Sequence, residues 1–349
     1  MNKIFNYIVA FMLVIGFMPD TQAGNPDRQG EAGFAQLLLV PYANSAGLSA
    51  MNTSFVSGVE SFGVNPAGLA AVTNLEIGVH QGQYLVGTDI SLNAFGLITK
   101  LKNGGALGVS LNNVDLGDIV RTTTDQPEGT GNTFSPSLFN LNIGYAKSWD
   151  EKIYVGVNFK VASERVEDMS LSTFALDAGV QYKSGENDRF RFGVALRNIG
   201  APATFKGEGL IFISTVDYEG GTFTQTTAQR SSRVELQSAL KIGTSYDVIT
   251  GVNTLRILAN FTSNAFSRDQ IGGGVEYHLK DIFVLRGGYQ YELDQIDSEL
   301  PIYTGVSAGA TFNFKLGKAA DAAKVGLGYA YRMTNKFNGT HNVGITMTL

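Results

Sequence analysis

Ile153-Tyr154-Val155-Gly156-Val157-Asn158-Phe159-Lys160-Val161 alternates without a break. Ile153, Val155, Val157, Phe159 and Val161 fall on one face of an extended chain. Tyr154, Gly156, Asn158 and Lys160 fall on the other. Successive side chains of a strand point to opposite faces, so a period of two identifies a β-strand with one apolar side. The same pattern returns at Phe190, Phe192, Val194 and Leu196, set against Arg191, Gly193, Ala195 and Arg197. It returns again at Val325, Leu327, Tyr329, Tyr331 and Met333, set against Gly326, Gly328, Ala330 and Arg332. A Lys or Arg turned toward the middle of a bilayer costs about 2–4 kcal/mol, so a lipid-facing strand must turn its apolar set outward.

Working outward, fourteen such segments are expected after Ala71: 73–82, 88–100, 104–115, 138–149, 152–164, 171–183, 189–199, 233–247, 253–263, 269–279, 282–293, 303–315, 323–334 and 340–349. A tilted strand needs about 9–11 residues to cross a bilayer, and bacterial single-chain barrels use an even number of strands. If the first strand runs outward, the even-numbered turns are periplasmic and should be short. Lys102-Asn103-Gly104, Asp150-Glu151, Ser184 to Asp188, Ile249 to Asn253, Lys280-Asp281 and Gly317 to Ala322 are short. Most odd-numbered connections are longer, with Leu116 to Ser137 and Gly200 to Ser232 the extremes. The second segment, Ile90 to Leu101, alternates poorly and is expected to carry a bulge. Tyr145 and Trp149 fall on the lipid face of the fourth strand, where an aromatic girdle belongs. The chain ends on a strand with an apolar last residue, Leu349, which resembles the sorting signal of outer-membrane barrels.

Composition agrees with a barrel facing lipid on one side. Charged residues are 16%, against about 25% in ordinary globular domains. Glycine is 42 of 349, against a usual value of about 7%. Cysteine is absent, which excludes a disulfide framework and thiolate metal ligation. A net charge of -5 gives no reason to expect nucleic acid. Residues 1–23 read as a cleaved signal peptide: Lys3, an apolar run from Ile8 to Met18, Pro19, and Thr21-Gln22-Ala23. That apolar run is too short for a membrane anchor.

Between leader and first strand lies Ser45 to Ala71, SAGLSAMNTSFVSGVESFGVNPAGLAA, rich in small residues. Its end, Asn65-Pro66-Ala67-Gly68, is expected to be a fixed turn. Pro66 removes a donor and restricts Asn65, and Gly68 is expected to supply a backbone that other residues resist. The inward set of the strands, by parity, holds Glu76, Asp177, Glu235, Glu276 and Glu292 with Lys160, Arg191, Arg197, Lys241, Arg256, Arg286 and Arg332. The other inward positions are mostly Gly, Ala, Ser and Asn. Fourteen strands enclose more space than eight, whose side chains just fill the interior. Residues 24–71 are therefore expected to form an N-terminal extension and lumen hatch, and 72–349 the barrel. A wide, wet channel is the other way to accommodate that interior.

Nothing in the sequence points to catalysis. There is no HExxH, no Gly-x-Ser-x-Gly and no Walker loop, and Gly272-Gly273-Gly274 has no following helix to make it a nucleotide loop. His80 and His341 could approach where the first and last strands pair. Their parities differ, so no shared metal is expected, and neither metal nor cofactor is assigned. The connection Gly200 to Ser232 carries Leu210-Ile211-Phe212-Ile213. This run either contacts a partner or folds over the barrel mouth and buries itself.

Asn65, Pro66, Ala67, Gly68, Leu69 and Ala70 resemble the end of the N-terminal signature of the PorV/PorQ family of the Bacteroidota, within the FadL-like barrel superfamily. The earlier part of that signature survives as Ala46-Gly47-Leu48-Ser49-Ala50-Met51. Ser57 to Ser61 replaces its acidic pair, and Val64 stands where Trp or Tyr is usual. The resemblance implies an all-β fold, a FadL-like barrel of about 14 antiparallel strands with a hatch in its lumen. It also implies a non-enzymatic outer-membrane component or paralogue of type IX secretion, acting through protein–protein contacts with translocon or secreted cargo and embedded in outer-membrane lipid. The alternative reading is a FadL-like channel for hydrophobic small molecules, and a third is a barrel with a structural role only.

Overall fold

The computed structural model describes residues 24–280, 282–295, 300–317 and 322–349; the expected leader, 1–23, lies outside them. Fourteen long strands follow the N-terminal region. They are β1 (Leu75–Tyr84), β2 (Ile90–Lys100), β3 (Gly105–Asp115), β4 (Ser137–Trp149), β5 (Ile153–Val166), β6 (Met169–Ser184) and β7 (Phe190–Gly200). The second half contains β8 (Ala239–Thr250), β9 (Asn253–Asn264), β10 (Gln270–Leu279), β11 (Phe283–Glu292), β12 (Tyr303–Lys315), β13 (Lys324–Thr334) and β14 (Thr340–Thr348). Each pairs antiparallel with its neighbours in sequence. β14 returns to β1 in the register Glu76↔Thr348 through Gln83↔His341, which closes the barrel and leaves no wall strand as a free edge.

The apolar sets face out around the whole circumference. Val79, Phe95, Val109, Ile143, Val157, Leu176, Leu196, Ile257, Leu285 and Ile345 are all exposed. Trp149 stands exposed on that face beside the turn at Asp150. A closed barrel wrapped in an apolar belt is a structure built for a bilayer, where every backbone group must be paired within the wall.

Four expectations are corrected. The poor alternation of β2 is no bulge, because its register against β1 and β3 runs unbroken. Inward Ala94 and Ile98 are apolar because they pack on the lumen contents, and inward Leu92 is buried as well. The irregularities lie instead in β7, between Leu196 and Ile199, and in β12, between Tyr303 and Ser307. The eighth strand begins at Ala239, not 233, because the preceding residues turn aside to bridge the N-terminal arm. Glu235 is consequently no lumen charge. It pairs in parallel with Ala32, lies half exposed and binds Arg28 at 3.1 Å. The connection from β5 to β6 is short, only Glu167 and Asp168. A left-handed backbone at Glu167 (φ 49°) closes the hairpin there, so the two strands run on past the belt.

The chain enters this barrel from the mouth that carries the long connections. Residues 24–39 lie there. Phe34 and Leu37 pack with Ala162, Leu171, Ala175 and Leu236, and the Arg28 guanidinium stacks on Phe266 at 4.3 Å. Residues 40–72 then descend through the lumen and leave at the opposite end. There Lys100 Nζ donates to the Ala70 carbonyl at 2.8 Å, just before β1 begins.

Candidate functional site: the occupied lumen

The lumen segment is buried along nearly its whole length, and no long helix holds it together. It has four-residue helices at Ala43–Ala46 and Ser61–Val64 and 3-10 turns at Gly58–Glu60 and Pro66–Ala71. Elements this short do not stand alone in water, so the wall and the segment's own side chains must supply the missing partners. Tyr42, Val56, Val59, Phe62, Val64 and Leu69 form an apolar core with Ala94, Ile98, Ala106 and Ala146 of the wall.

Wall glycines make room for it. Gly144 of β4 faces Leu69, Gly156 of β5 faces the Pro66 carbonyl, Gly179 of β6 faces the Asn65 amide and Gly193 of β7 faces the Thr53 carbonyl. A Cβ at any of these four would overlap the atom it faces. The glycine excess of the sequence is thus partly a track for the lumen segment across four neighbouring strands.

Polar side chains of the wall take up the segment's backbone groups. Gln181 Nε2 donates to the carbonyls of Thr53 (3.1 Å) and Val56 (3.0 Å). Asn342 Nδ2 donates to those of Val40 (3.2 Å) and Pro41 (3.0 Å). Lys241 Nζ donates to Ala50 (3.2 Å) and Arg197 to Gly63. In return, Glu76 accepts from the Val59 amide at 2.8 Å.

Asn65 joins segment and wall. Its Oδ1 accepts from the Ala67 amide at 3.1 Å, capping the turn that Pro66 opens. Its Nδ2 donates to the carbonyls of Thr53 (2.9 Å) and Val180 (3.1 Å), the latter in the wall. Pro66 and Ala67 are fully buried beside it. Gly68 corrects an expectation: its backbone is not left-handed. A Cβ at that position would overlap the Val56 carbonyl and the Ser61 hydroxyl, so glycine is required there for space.

The inward charges form two clusters. Near the crowded mouth, Lys160 Nζ lies 2.7 Å from Asp177 Oδ2 and donates to Asn198 Oδ1 at 2.7 Å, with Arg197 3.9 Å from Asp177. Asn198 sits in the β7 irregularity with φ 58° and donates its amide to Asp177 at 2.8 Å. Toward the other end, Arg256 bridges Asp247 (2.6 Å) and Glu276 (3.0 Å). Arg191 joins Asp247 at 3.0 Å, Arg286 joins Glu276 at 2.6 Å, and Phe55 of the lumen segment stacks on Arg256 at 4.4 Å. Glu292 accepts from Gln270 at the rim, and Arg332 lies 3.7 Å over the Tyr303 ring.

Asp247 is not in the inward set expected from the sequence, although it shares the face of Lys241 and the strand runs on to Thr250. Sequence parity also missed Glu60, whose carboxylate receives Asn44 N (3.0 Å), Ser45 N (2.8 Å) and Ser45 Oγ (2.6 Å). Glu60 belongs to no strand, so alternation carries no signal for it. His80 faces in and packs edge-on against Tyr42 at 5.1 Å, whereas His341 faces out and bonds the Tyr329 hydroxyl at 2.7 Å.

A cavity of about 290 Å³ remains between the descending segment and the wall. Leu38, Leu39 and Val40 line one side. Lys241, Arg197 and Arg332, with amides such as Gln270 and Gln290, line the other.

The expected partner run does not fold over the mouth. Ile211–Tyr218 and Gly221–Ala228 pair as a separate hairpin. Ile211, Phe212 and Ile213 are exposed on it, with Ile213 at 76%, and Leu210 precedes it in a short turn.

No protein-family model matches this sequence, and no curated protein sequence matches it. Solved structures do match. The CymD monoaromatic hydrocarbon channel aligns at 14% identity over 90% of this chain and 97% of its own, with a TM-score of 0.55. The toluene transporter TbuX of Ralstonia pickettii aligns at 12% identity over 90% and 99%, with 0.52. A TodX monoaromatic hydrocarbon channel lacking S2 and S3 aligns at 13% identity over 87% and 96%, with 0.52. Identities this low speak for architecture alone. The architecture, a closed, fourteen-stranded antiparallel barrel, is the fold these channels share.

Proposed function

We propose that this protein is an outer-membrane channel for hydrophobic small molecules, with the lumen segment as its movable hatch. The observation that carries this reading is the cavity between residues 38–40 and the wall. It sits on the route through the barrel, has one apolar side, and ends at a segment that bars the way further down. At about 290 Å³ it falls at the lower edge of ordinary ligand pockets, about 300–1,000 Å³, and suits a molecule of one or two rings better than a long chain. The resemblance to channels whose substrates are monoaromatic hydrocarbons supports the same size class. Passage requires residues 40–72 to shift, because the wall bonds and the glycine track hold them across the lumen.

Cells expressing the protein should take up radiolabelled toluene faster than cells lacking it. Ala239→Trp, which fills the cavity, should return uptake to the background rate. Equal uptake with and without the protein would overturn the reading.

The exposed hairpin favours a second reading, a PorV/PorQ-like docking component of type IX secretion. The match at Asn65 to Ala70 supports it too. Deleting the gene should then strand secreted cargo in the periplasm, and normal cargo secretion in the deletion strain would remove this reading.

A further inference from the structure

The wall departs from a plain barrel beside β6. After Gly200 the chain leaves the β6 edge, bridges Ala203 to Val234, and returns to pair Lys206 with Ser170 and Gly207 with Met169. This strap leaves a cavity of about 640 Å³, lined by Ser170, Ser172, Pro202, Thr204, Lys206 and Arg233.

Its place on the outer surface is set by parity. The outward positions of β6, read from the turn, are Ser170, Ser172, Phe174, Leu176, Ala178, Val180 and Tyr182. Phe174 and Leu176 are 61% and 55% exposed. From Phe174 to Tyr182 the strand rises roughly 26 Å, which after the tilt of barrel strands nearly fills an apolar band about 25 Å tall. Ser170 and Ser172 therefore lie just past the band, at head-group level. They lie on the side of the long connections, which in barrels of this type is the outer leaflet. On β5, Ser163 and the exposed Arg165 occupy the same level, and the Ser163 and Ser172 hydroxyls are 3.0 Å apart.

The two charged side chains that line this cavity are both cationic. Lys206 and Arg233 are exposed, and neither has an ion-pair partner among the described residues. Glu167, on the adjoining turn, is engaged by Arg121. Two uncommitted cations, a group of hydroxyl donors and an apolar wall directly below match a phosphate on a head group with acyl chains beneath it.

We infer that this strap cavity binds the phosphorylated head group of an outer-leaflet glycolipid, its acyl chains lying along Phe174 and Leu176. The inference needs only the barrel's seat in the outer membrane and is independent of what passes through the lumen.

The test uses delipidated full-length protein in detergent, titrated with bis-phosphorylated lipid A and followed by native mass spectrometry. Each cation near a charged lipid surface contributes about fivefold, so Lys206→Ala with Arg233→Ala should weaken binding about 25-fold. Both side chains are exposed, and an unchanged heat-shifted gel mobility checks that the barrel remains folded. Ser172→Ala with Thr204→Val should weaken binding by a smaller factor. Lys102→Ala with Lys152→Ala, at the opposite rim, should leave it unchanged. Fully dephosphorylated lipid A should bind the native protein as poorly as phosphorylated lipid binds the double cation variant. Three results would each overturn the inference: equal affinity in the cation variant, an equal loss in the opposite-rim variant, or displacement of the lipid by millimolar inorganic phosphate.

Discussion

Lys160→Met is expected to destabilise the barrel by about 3–5 kcal/mol, the usual cost of stripping one partner from a buried ion pair. The side chains of Lys160 and Asp177 are 2% and 1% exposed, so water cannot replace the lost ammonium. The guanidinium of Arg197 is anchored by the Gly63 carbonyl, which leaves its Nε 3.9 Å from Asp177, beyond hydrogen-bond reach. The loss would also free Asn198, which holds the β7 irregularity and donates to the Gln237 carbonyl at 2.9 Å. The measurement is urea unfolding of the protein folded into lipid vesicles, read by the change in midpoint at constant slope. Adding Asp177→Leu to Lys160→Met should recover most of the loss, because an apolar pair of similar volume often equals a buried ion pair. A double variant as unstable as the single one would show that the site depends on its charges for more than mutual neutralisation.

Gly179→Leu combined with Gly156→Leu is expected to expel the lumen segment and leave the barrel standing. Each new side chain occupies space now held by Asn65 or by the Pro66 carbonyl, both backed by fully buried neighbours. Overpacking typically costs about 1–3 kcal/mol per site, and here it falls on the contact between two bodies, not inside one. The wall's own hydrogen bonds are untouched, so separation is the cheaper way to relieve the overlap. Fourteen strands without a filling enclose more than side chains can occupy, and ion conductance in a planar bilayer should rise by about tenfold or more over the native protein. Protease sites between residues 40 and 72 should become accessible at the same time. Gly287→Ala is the control, since a Cβ there meets nothing nearer than the Ser307 carbonyl at 3.9 Å. Native conductance together with a protected segment would mean that the glycine track does not position it.

Most of the wall was legible because lipid imposes a simple rule. Every residue that faces the bilayer core must be apolar, and the extended backbone turns every second residue that way. The bounds of thirteen strands could be read to within a few residues on this basis. The failures share one cause. Where a strand meets something other than lipid and water, alternation stops reporting the backbone. β2 looked irregular because Ala94 and Ile98 face an apolar lumen segment. β8 looked long because Glu235 belongs to a bridge with the N-terminal arm, a contact between residues some 200 positions apart. Gly68 looked like a turn residue because the carbonyl it must clear, Val56, becomes its neighbour only after folding.

The sequence by itself determined the barrel: the strand number, the outward faces, the aromatic rim at Trp149 and the inward placement of most of the charges. These follow from local periodicity under a uniform solvent constraint, which needs no knowledge of distant residues. Only the tertiary structure decided how those inward groups are used. Which carbonyl Gln181 and Asn342 hold, which cation Asp177 pairs with, where the strap leaves β6 and what volume stays open beside Leu38 all depend on contacts between segments far apart in the chain. Inside a wide barrel each polar group has many reachable partners, and periodicity says only that it points inward. Close packing around the lumen segment selects one of those partners, and that selection leaves a filled lumen with a cavity above it.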